Sequence, residues 1–323
     1  MTALHTLTRR QLIIAGASAL PLASWAAWPE RPVRLVVPYA AGGGADNAAR
    51  IVGQRMGELL GQTIVIDNKP GAGGVIGADA VAKAAPDGYT ALFDASAYVV
   101  NPILRKLPYD ANKDFIPVSL IVAAPQILVV APQSPYKAFT ELLAAARKAP
   151  NKISYASAGA ATASHLAAEL VADEANVDFL HVPYKGGAPA LTDVMSGAVD
   201  FYFGNAASTL QHVTSGKLRA LAVSSKDRLK NLPSTPTISE SGIPNYEVLE
   251  WNGLFLPKTT PTDIVQKFAK AAQLSVADPK IRDRLLLSGV IPVGDSPTEF
   301  TKFLERESRR LQALVKTRGI KLD

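Results

Sequence analysis

Short apolar runs alternate with amphipathic helical stretches from one end of this chain to the other. The runs fall at 33–37, 63–66, 89–93, 127–131, 179–182, 199–203 and 218–223. Most are continuously apolar and rich in Val, Ile and Leu, which predicts parallel strands covered on both faces. Between them the spacing predicts helices. The clearest runs over 46–60, with Val52, Met56, Leu59 and Leu60 on one face and Gly61 as its stop. Pro86-Asp87-Gly88 marks a turn ahead of the third strand. This alternation specifies an α/β fold. Two extended stretches interrupt it: 117–131, broken by Pro125, and 246–257, YEVLEWNGLFLP. After Pro257 the chain reads as helical or connecting, with Phe300, Phe303, Leu304, Leu311 and Leu314 at helical spacing over 297–316. Such a chain leaves one α/β domain, builds a second and returns. We therefore expect a first domain of 27–125 plus 252–323, a second of 126–251, and a cleft between them.

Two strand-to-helix turns carry the candidate chemistry. VVPYAAGGGADNAAR spans 36–50, and YASAGAATASHLAAEL spans 155–170. A turn built on Gly and Ala lets the backbone approach a ligand and leaves N–H groups unpaired at the helix start, which favours an anion. In the first turn the amides around Ala41, Gly42, Gly43 and Gly44 can converge on one point, since glycine tolerates positive φ and carries no Cβ. The helix behind adds about half a positive charge. Three or four charge-assisted bonds, at roughly 1.5–3 kcal/mol each, approach the roughly 8 kcal/mol of a micromolar complex before ordering costs. Asp46 either caps the first-turn amides or meets a donor on the ligand. Tyr39 lines the cleft wall or simply packs. In the second turn Ala158 and Gly159 offer amides and Thr162 a hydroxyl. Asn205 ends a second-domain strand at the cleft, and Ser96, after the third strand, is a further contact candidate.

The loop is not a nucleotide site. A dinucleotide fingerprint needs Gly or Ala where Asn47 stands, and no phosphate-loop Gly-Lys-Ser/Thr ending exists. The second glycine cluster, Gly71 to Gly77, misses the same spacing by one residue and reads as structural.

The N-terminus adds a cellular address. Arg9 and Arg10 precede a short apolar run to Leu22, and small residues follow around Ala26. This pattern is a bacterial export signal, twin-arginine or general secretory, over 1–26, with cleavage near Ala26 and release into the periplasm. The apolar run is too short for a membrane span, which takes roughly 20 residues. Cysteine is absent, so disulfides and thiolate chemistry are excluded and burial must hold the fold. Cleavage lowers the 34 basic residues to 32 against 28 acidic, a net charge of +4. A mild positive balance suits an anionic ligand, and the scattered bases argue against nucleic acid.

Taken together, WPERPVRLVVPYAAGGGAD, NKPGAGGVIGADAVAKAAPDGYT, LPYDANKDFIPVSL, YASAGAATASHLAAEL, HVPYKGGAPALTD, GKLRALAV and EWNGLFLP make the chain resemble the Bug, or tripartite tricarboxylate transporter, family of extracytoplasmic solute receptors. The resemblance covers the whole mature chain. It implies a type II-like periplasmic binding protein fold, two α/β domains joined by two crossover strands. It also implies a small carboxylate held by amides, hydroxyls and waters, with no cofactor and no metal, and a monomer that delivers its solute to a permease of one large and one small subunit. Some members act as sensors instead, and a membrane sensor kinase would use the same cleft. Thr162 stands where the family's Gly-x-Gly-Thr element places its threonine, with Ala161 replacing the second glycine. His165 matches the family's His-Leu pair, as a ligand contact or a structural group. Where relatives carry Phe-Asp-Asn this chain has Phe203-Gly204-Asn205, which implies a roomier pocket, free of that acid and suited to a dicarboxylate or aromatic carboxylate. Trp251 and Tyr184-Lys185-Gly186 read as hinge and loop architecture.

An enzyme is the competing class. His165, His181 and His212 lack metal-ligand spacing, and no Gly-x-Ser-x-Gly elbow occurs. A receptor that works by population shift is the expected mechanism: the ligand favours the closed form because only there do both helix starts engage it.

Overall fold

The computed structural model describes residues 28–319 apart from 161 and 185. The export segment expected over 1–26, Ala161 and Lys185 lie outside the described residues. Strand β1 (Val33–Val37) leads into helix α1 (Gly44–Leu60), followed by β2 (Ile64–Asn68), α2 (Val75–Ala82), β3 (Thr90–Ala95) and α3 (Ala97–Leu104). Strand β4 (Phe115–Val130) then carries the chain across to α4 (Phe139–Lys148), β5 (Ser154–Ser157), α5 (Ala163–Ala175) and β6 (Leu180–Pro183). Beyond these come α6 (Gly187–Ser196), β7 (Phe201–Asn205), α7 (Ala206–Thr214) and β8 (Arg219–Val223). Strand β9 (Leu249–Pro257) returns it to α8 (Thr262–Ala277), α9 (Pro279–Leu287), β10 (Ile291–Pro292) and α10 (Pro297–Arg318).

The strands order as β2-β1-β3-β9-β4-β7-β5-β6, with β8 and β10 also on β4. Pairing is parallel within β1–β3 and within β5–β7, as continuous apolar runs require. The join is antiparallel: β9 pairs with β3 and with the first part of β4, from Phe115 opposite Pro257 to Pro125 opposite Leu249. From Gln126 onward β4 exchanges β9 for β7 and β8. The expectation of a break at Pro125 is corrected by this change of partner. Proline lacks an N–H, and at the point where one ladder ends and another begins that loss is tolerated.

Each half buries both faces of its part of the sheet. In the first half, Val33, Leu35, Val52, Met56 and Phe268 pack on one side, and Val36, Leu92, Phe255 and Phe300 on the other. In the second, Leu128, Leu142 and Phe201 face one way, and Val129, Leu191 and Tyr202 the other. The buried stripe of α1 runs through Ala48, Ala49, Val52 and Met56. Leu59, expected on that stripe, is instead 38 % exposed. Gly61 ends the helix in the left-handed conformation, φ 74°. Residues after Pro257 are not wholly helical, since Ile291 and Pro292 add a short antiparallel edge to β4. Trp251 is buried within β9, between Phe300 and Phe303. At Gly253 the Phe300 ring lies 2.1 Å from where a Cβ would stand, so only glycine lets α10 seat on β9.

Candidate functional site

Five helix starts surround one cavity of about 580 Å³ at the seam where β4 and β9 cross. From the first half come α1, through Gly43, Gly44 and Ala45, and α3, through Ser96 and Ala97. From the second come α5 through Thr162 and Ser164, α6 through Gly186 and Gly187, and α7 through Asn205 and Ser208. Four of the five N-cap residues make no side-chain cap; only Asn205 does, accepting from the Ala207 N–H at 2.9 Å. The N–H groups of Gly44, Ala45, Ala163, Gly187 and Ala188 find no acceptor among the described residues. Uncapped helix starts grouped around one space leave partial positive charge for an anion to satisfy. Among the described wall residues there is no Lys and no Arg. A larger cleft of about 920 Å³ opens beside α10, walled by Glu174, Glu247, Arg306 and Arg310 but by no helix start.

The first loop is braced rather than free. Gly42, at φ +80°, donates its N–H to Asp46 Oδ2 at 2.8 Å, and Arg50 Nε donates to the same oxygen at 2.9 Å. Asn68 Nδ2 donates to Asp46 Oδ1 and to the Tyr39 carbonyl, each at 3.0 Å. Burial alone would raise the Asp46 carboxyl, but the bonds from Arg50, Gly42 and Asn68 outweigh it and hold the group below its usual range. Asp46 therefore neither caps the first-turn amides nor reaches the cavity. As the third helical residue it reaches back before the helix, in the manner of a capping box. Gly42 lines the wall while its amide is spent on Asp46, so the free donors shift one step on, to Gly44 and Ala45. Ala41 is exposed and off the wall. Gly44 faces Asn205 across the seam, and a Cβ there would lie 3.6 Å from Asn205 Nδ2.

The second loop follows the same logic. The Ala158 N–H donates to Ser164 Oγ at 2.9 Å and the Gly159 N–H to Ser157 Oγ at 3.2 Å, so these amides are committed within the loop. Thr162 Oγ1 donates to the Gly159 carbonyl at 2.7 Å and lies 2.9 Å from Ser164 Oγ. Ala158 and Thr162 line the cavity and Gly159, at φ +132°, does not. His165 is buried against the His181 ring, centroids 4.1 Å apart, and is absent from the wall.

The floor carries what the sequence reading missed. Glu250, Asn252 and Gln126 line it beside Tyr39 and Ser96. Ser96 Oγ donates to Glu250 Oε1 at 3.2 Å, and Tyr39 donates to Asp94 Oδ1 at 2.7 Å. Burial pushes both Glu250 and Asp94 up to about 7, against hydrogen bonds from Ser96 and Tyr39 respectively that pull them down. The space expected from Gly204 is also absent. Thr209 Oγ1 lies 2.2 Å from where a Cβ would stand, and Gly204 is buried off the wall. The cavity is thus not free of acid, since Glu250 supplies one from β9. Gly186, read as loop architecture, lies on the wall.

Comparison with known proteins decides the family. The model of the tripartite tricarboxylate transporter family receptor matches residues 48–320. The chain belongs to that family. A UPF0065 protein of a Pseudomonas species is 41 % identical over 291 residues, covering 90 % of this chain and 87 % of that one. The periplasmic binding protein BugD superposes with a TM-score of 0.83 at 38 % identity, covering 92 % of this chain and 100 % of BugD. An R. palustris protein solved with adipate gives 0.86 at 34 %, covering 92 % and 100 %. MatC from Rhodopseudomonas palustris, with bound malate, gives 0.79 at 32 %, covering 89 % and 100 %. The fold is that of the family's periplasmic binding proteins, and this member is a solute-binding receptor rather than an enzyme. Among the described residues no helix is long and apolar enough to cross a membrane, and no cluster of His, Asp or Glu could hold a metal.

Proposed function

We propose that this receptor captures a small carboxylate in the periplasm and hands it to a membrane permease of one large and one small subunit. The observation that carries the reading is the convergence of uncapped helix starts from both halves on one cavity, with no cation in its described wall. Residues 27–125 with 252–323 form one jaw and 126–251 the other, and the ligand stabilises their closed arrangement. Gly42, Gly43, Gly44, Ala158, Thr162 and Asn205 contact the ligand or shape its approach, while Asp46 fixes the loop. The negative group lies between α1 and α5. Leu191, Met195 and Tyr202 offer an apolar wall to the ligand's carbon skeleton, which suits a dicarboxylate or an aromatic carboxylate. Two similar receptors were solved with dicarboxylates, adipate and malate, in support of that class.

A thermal-shift and calorimetric screen of mono-, di- and tricarboxylates, aromatic ones included, tests the reading on the mature protein. Stabilisation by one class of carboxylate is expected, and stabilisation by neutral solutes alone would contradict it. Delivery is tested separately: deleting the gene should abolish uptake of the bound acid, and undiminished uptake would remove the transport role.

A further inference from the structure

On the floor of the cleft three polar side chains share one sheet face. Glu250 and Asn252 are two apart on β9 and so point the same way. Ala124 of β4 pairs with Glu250, and Gln126, two further along, shares that side. All three line the cavity. Gln126 is 2 % exposed and Asn252 5 %, yet Gln126 Nε2 and Asn252 Nδ2 have no acceptor among the described residues. A buried amide donor without a partner pays its full desolvation penalty, so two in one wall mark a place where something supplies oxygen. Glu250 sits between them with one oxygen engaged by Ser96.

We propose that Gln126, Glu250 and Asn252 form a second subsite, which receives the far carboxyl of a linear diacid and shares one proton with it. This rests on the carboxylate reading above and adds its second head. The near carboxylate takes the helix starts. The far one accepts from the two amides and from the Glu250 O–H, which donates as a neutral acid. The groups bearing on Glu250 are Asp94 of β3, Tyr39 after β1 and Tyr202 of β7, and His212 of α7 stands on the same wall. Burial keeps Glu250 protonated up to about pH 7, and the nearby Asp94 adds to that. Above that pH the ionised Glu250 opposes a second carboxylate, and binding must draw a proton from solvent.

The test is calorimetric titration of the mature protein with linear diacids and with monoacids of matched chain length, at roughly pH 6 and roughly pH 8, for the wild type and Glu250→Gln. At the best chain length the diacid should bind at least about tenfold tighter than its monoacid at the lower pH, and this advantage should shrink about tenfold at the higher pH. In Glu250→Gln, whose amide donates at every pH, the preference should persist without the pH dependence. Equal binding of diacids and monoacids would overturn the subsite while leaving the carboxylate reading intact. An unchanged pH dependence in Glu250→Gln would also overturn it. Failure of every acid to bind would overturn both.

Discussion

Single residues set the shape and charge of the cleft. Gly44 starts α1 with its Cα facing Asn205 of the opposite jaw, and the gap admits a Cβ but little more. Gly44→Val places two further methyls in that gap and beside the α1 amides. We expect affinity for the carboxylate to fall by at least about tenfold while the melting temperature moves by no more than about 3 °C, because φ at this position suits any residue. Circular dichroism and calorimetry on the variant check both halves of the statement. Gly43, one residue earlier on the same wall, has φ −76°, and the nearest atom to an added Cβ there is the Ala40 carbonyl oxygen at 3.4 Å. Asp94 and Glu250 make a second residue-scale prediction. Both hold protons in the folded state to about pH 7, whereas free carboxyls release them near 4. Between those limits the unfolded chain binds fewer protons than the folded one, so stability falls as pH rises through the window and levels off above it. For Glu250 the full difference is on the order of 3 kcal/mol. Melting curves of the unliganded protein should therefore decline from about pH 5 to about pH 8, and Glu250→Gln should flatten that decline.

At the scale of elements, five helix starts line the cavity and two strands join the halves. Ser224 stands at the junction: its Oγ accepts the Gln126 N–H at 2.8 Å and donates to the Val248 carbonyl, tying β4 to the residue just before β9. Ser224→Ala strands two buried backbone groups, the Gln126 N–H and the Val248 carbonyl, and should cost about 1–3 kcal/mol, read as a lowered denaturant midpoint. The sequence pattern disclosed much of this architecture. Continuous apolar runs marked β1 at its observed bounds and placed β2, β3, β6, β7 and β8 within two residues, because strands buried on both faces must be apolar throughout, whereas the run at 127–131 caught only the end of β4 and no run marked β5 or β10. Helix α1 was bounded by Gly61, whose left-handed conformation is a local property of glycine. Helix α3 was not foreseen, since Pro102 and a short apolar sequence hide its periodicity. The two glycine turns pointed to the cavity, but the allotment of their amides did not follow from sequence: Asp46 and Ser164 take N–H groups that chain order alone leaves free. Glu250 and Gln126 had a usable signal, a lone polar residue inside an apolar run, where burial is costly without a partner. The start of α6 needed three-dimensional placement, because in the sheet order β6 is the edge strand farthest from β1 and chain order alone does not bring Gly187 to the same cavity as Gly44.

The whole molecule is one sheet bent at the exchange of partners along β4, with the helices of each half directing their starts into the bend. Contacts away from the cleft also span the halves: Arg318 at the end of α10 donates to Glu169 of α5 at 3.1 Å and to Asp178 at 3.4 Å. The cavity is thus lined from both halves, and under the proposed function ligand contacts to both favour a closed arrangement. The central claim is that main-chain amides at helix starts from opposite jaws hold the acid. A crystal structure of the mature protein with its tightest-binding carboxylate tests it most directly. Carboxylate oxygens should lie within about 2.7–3.2 Å of the Gly44 or Ala45 N–H on one side, and of the α5 N-terminal amides, directly or through one water, on the other. A negative group resting on a lysine, an arginine or a metal, away from both helix starts, would contradict it.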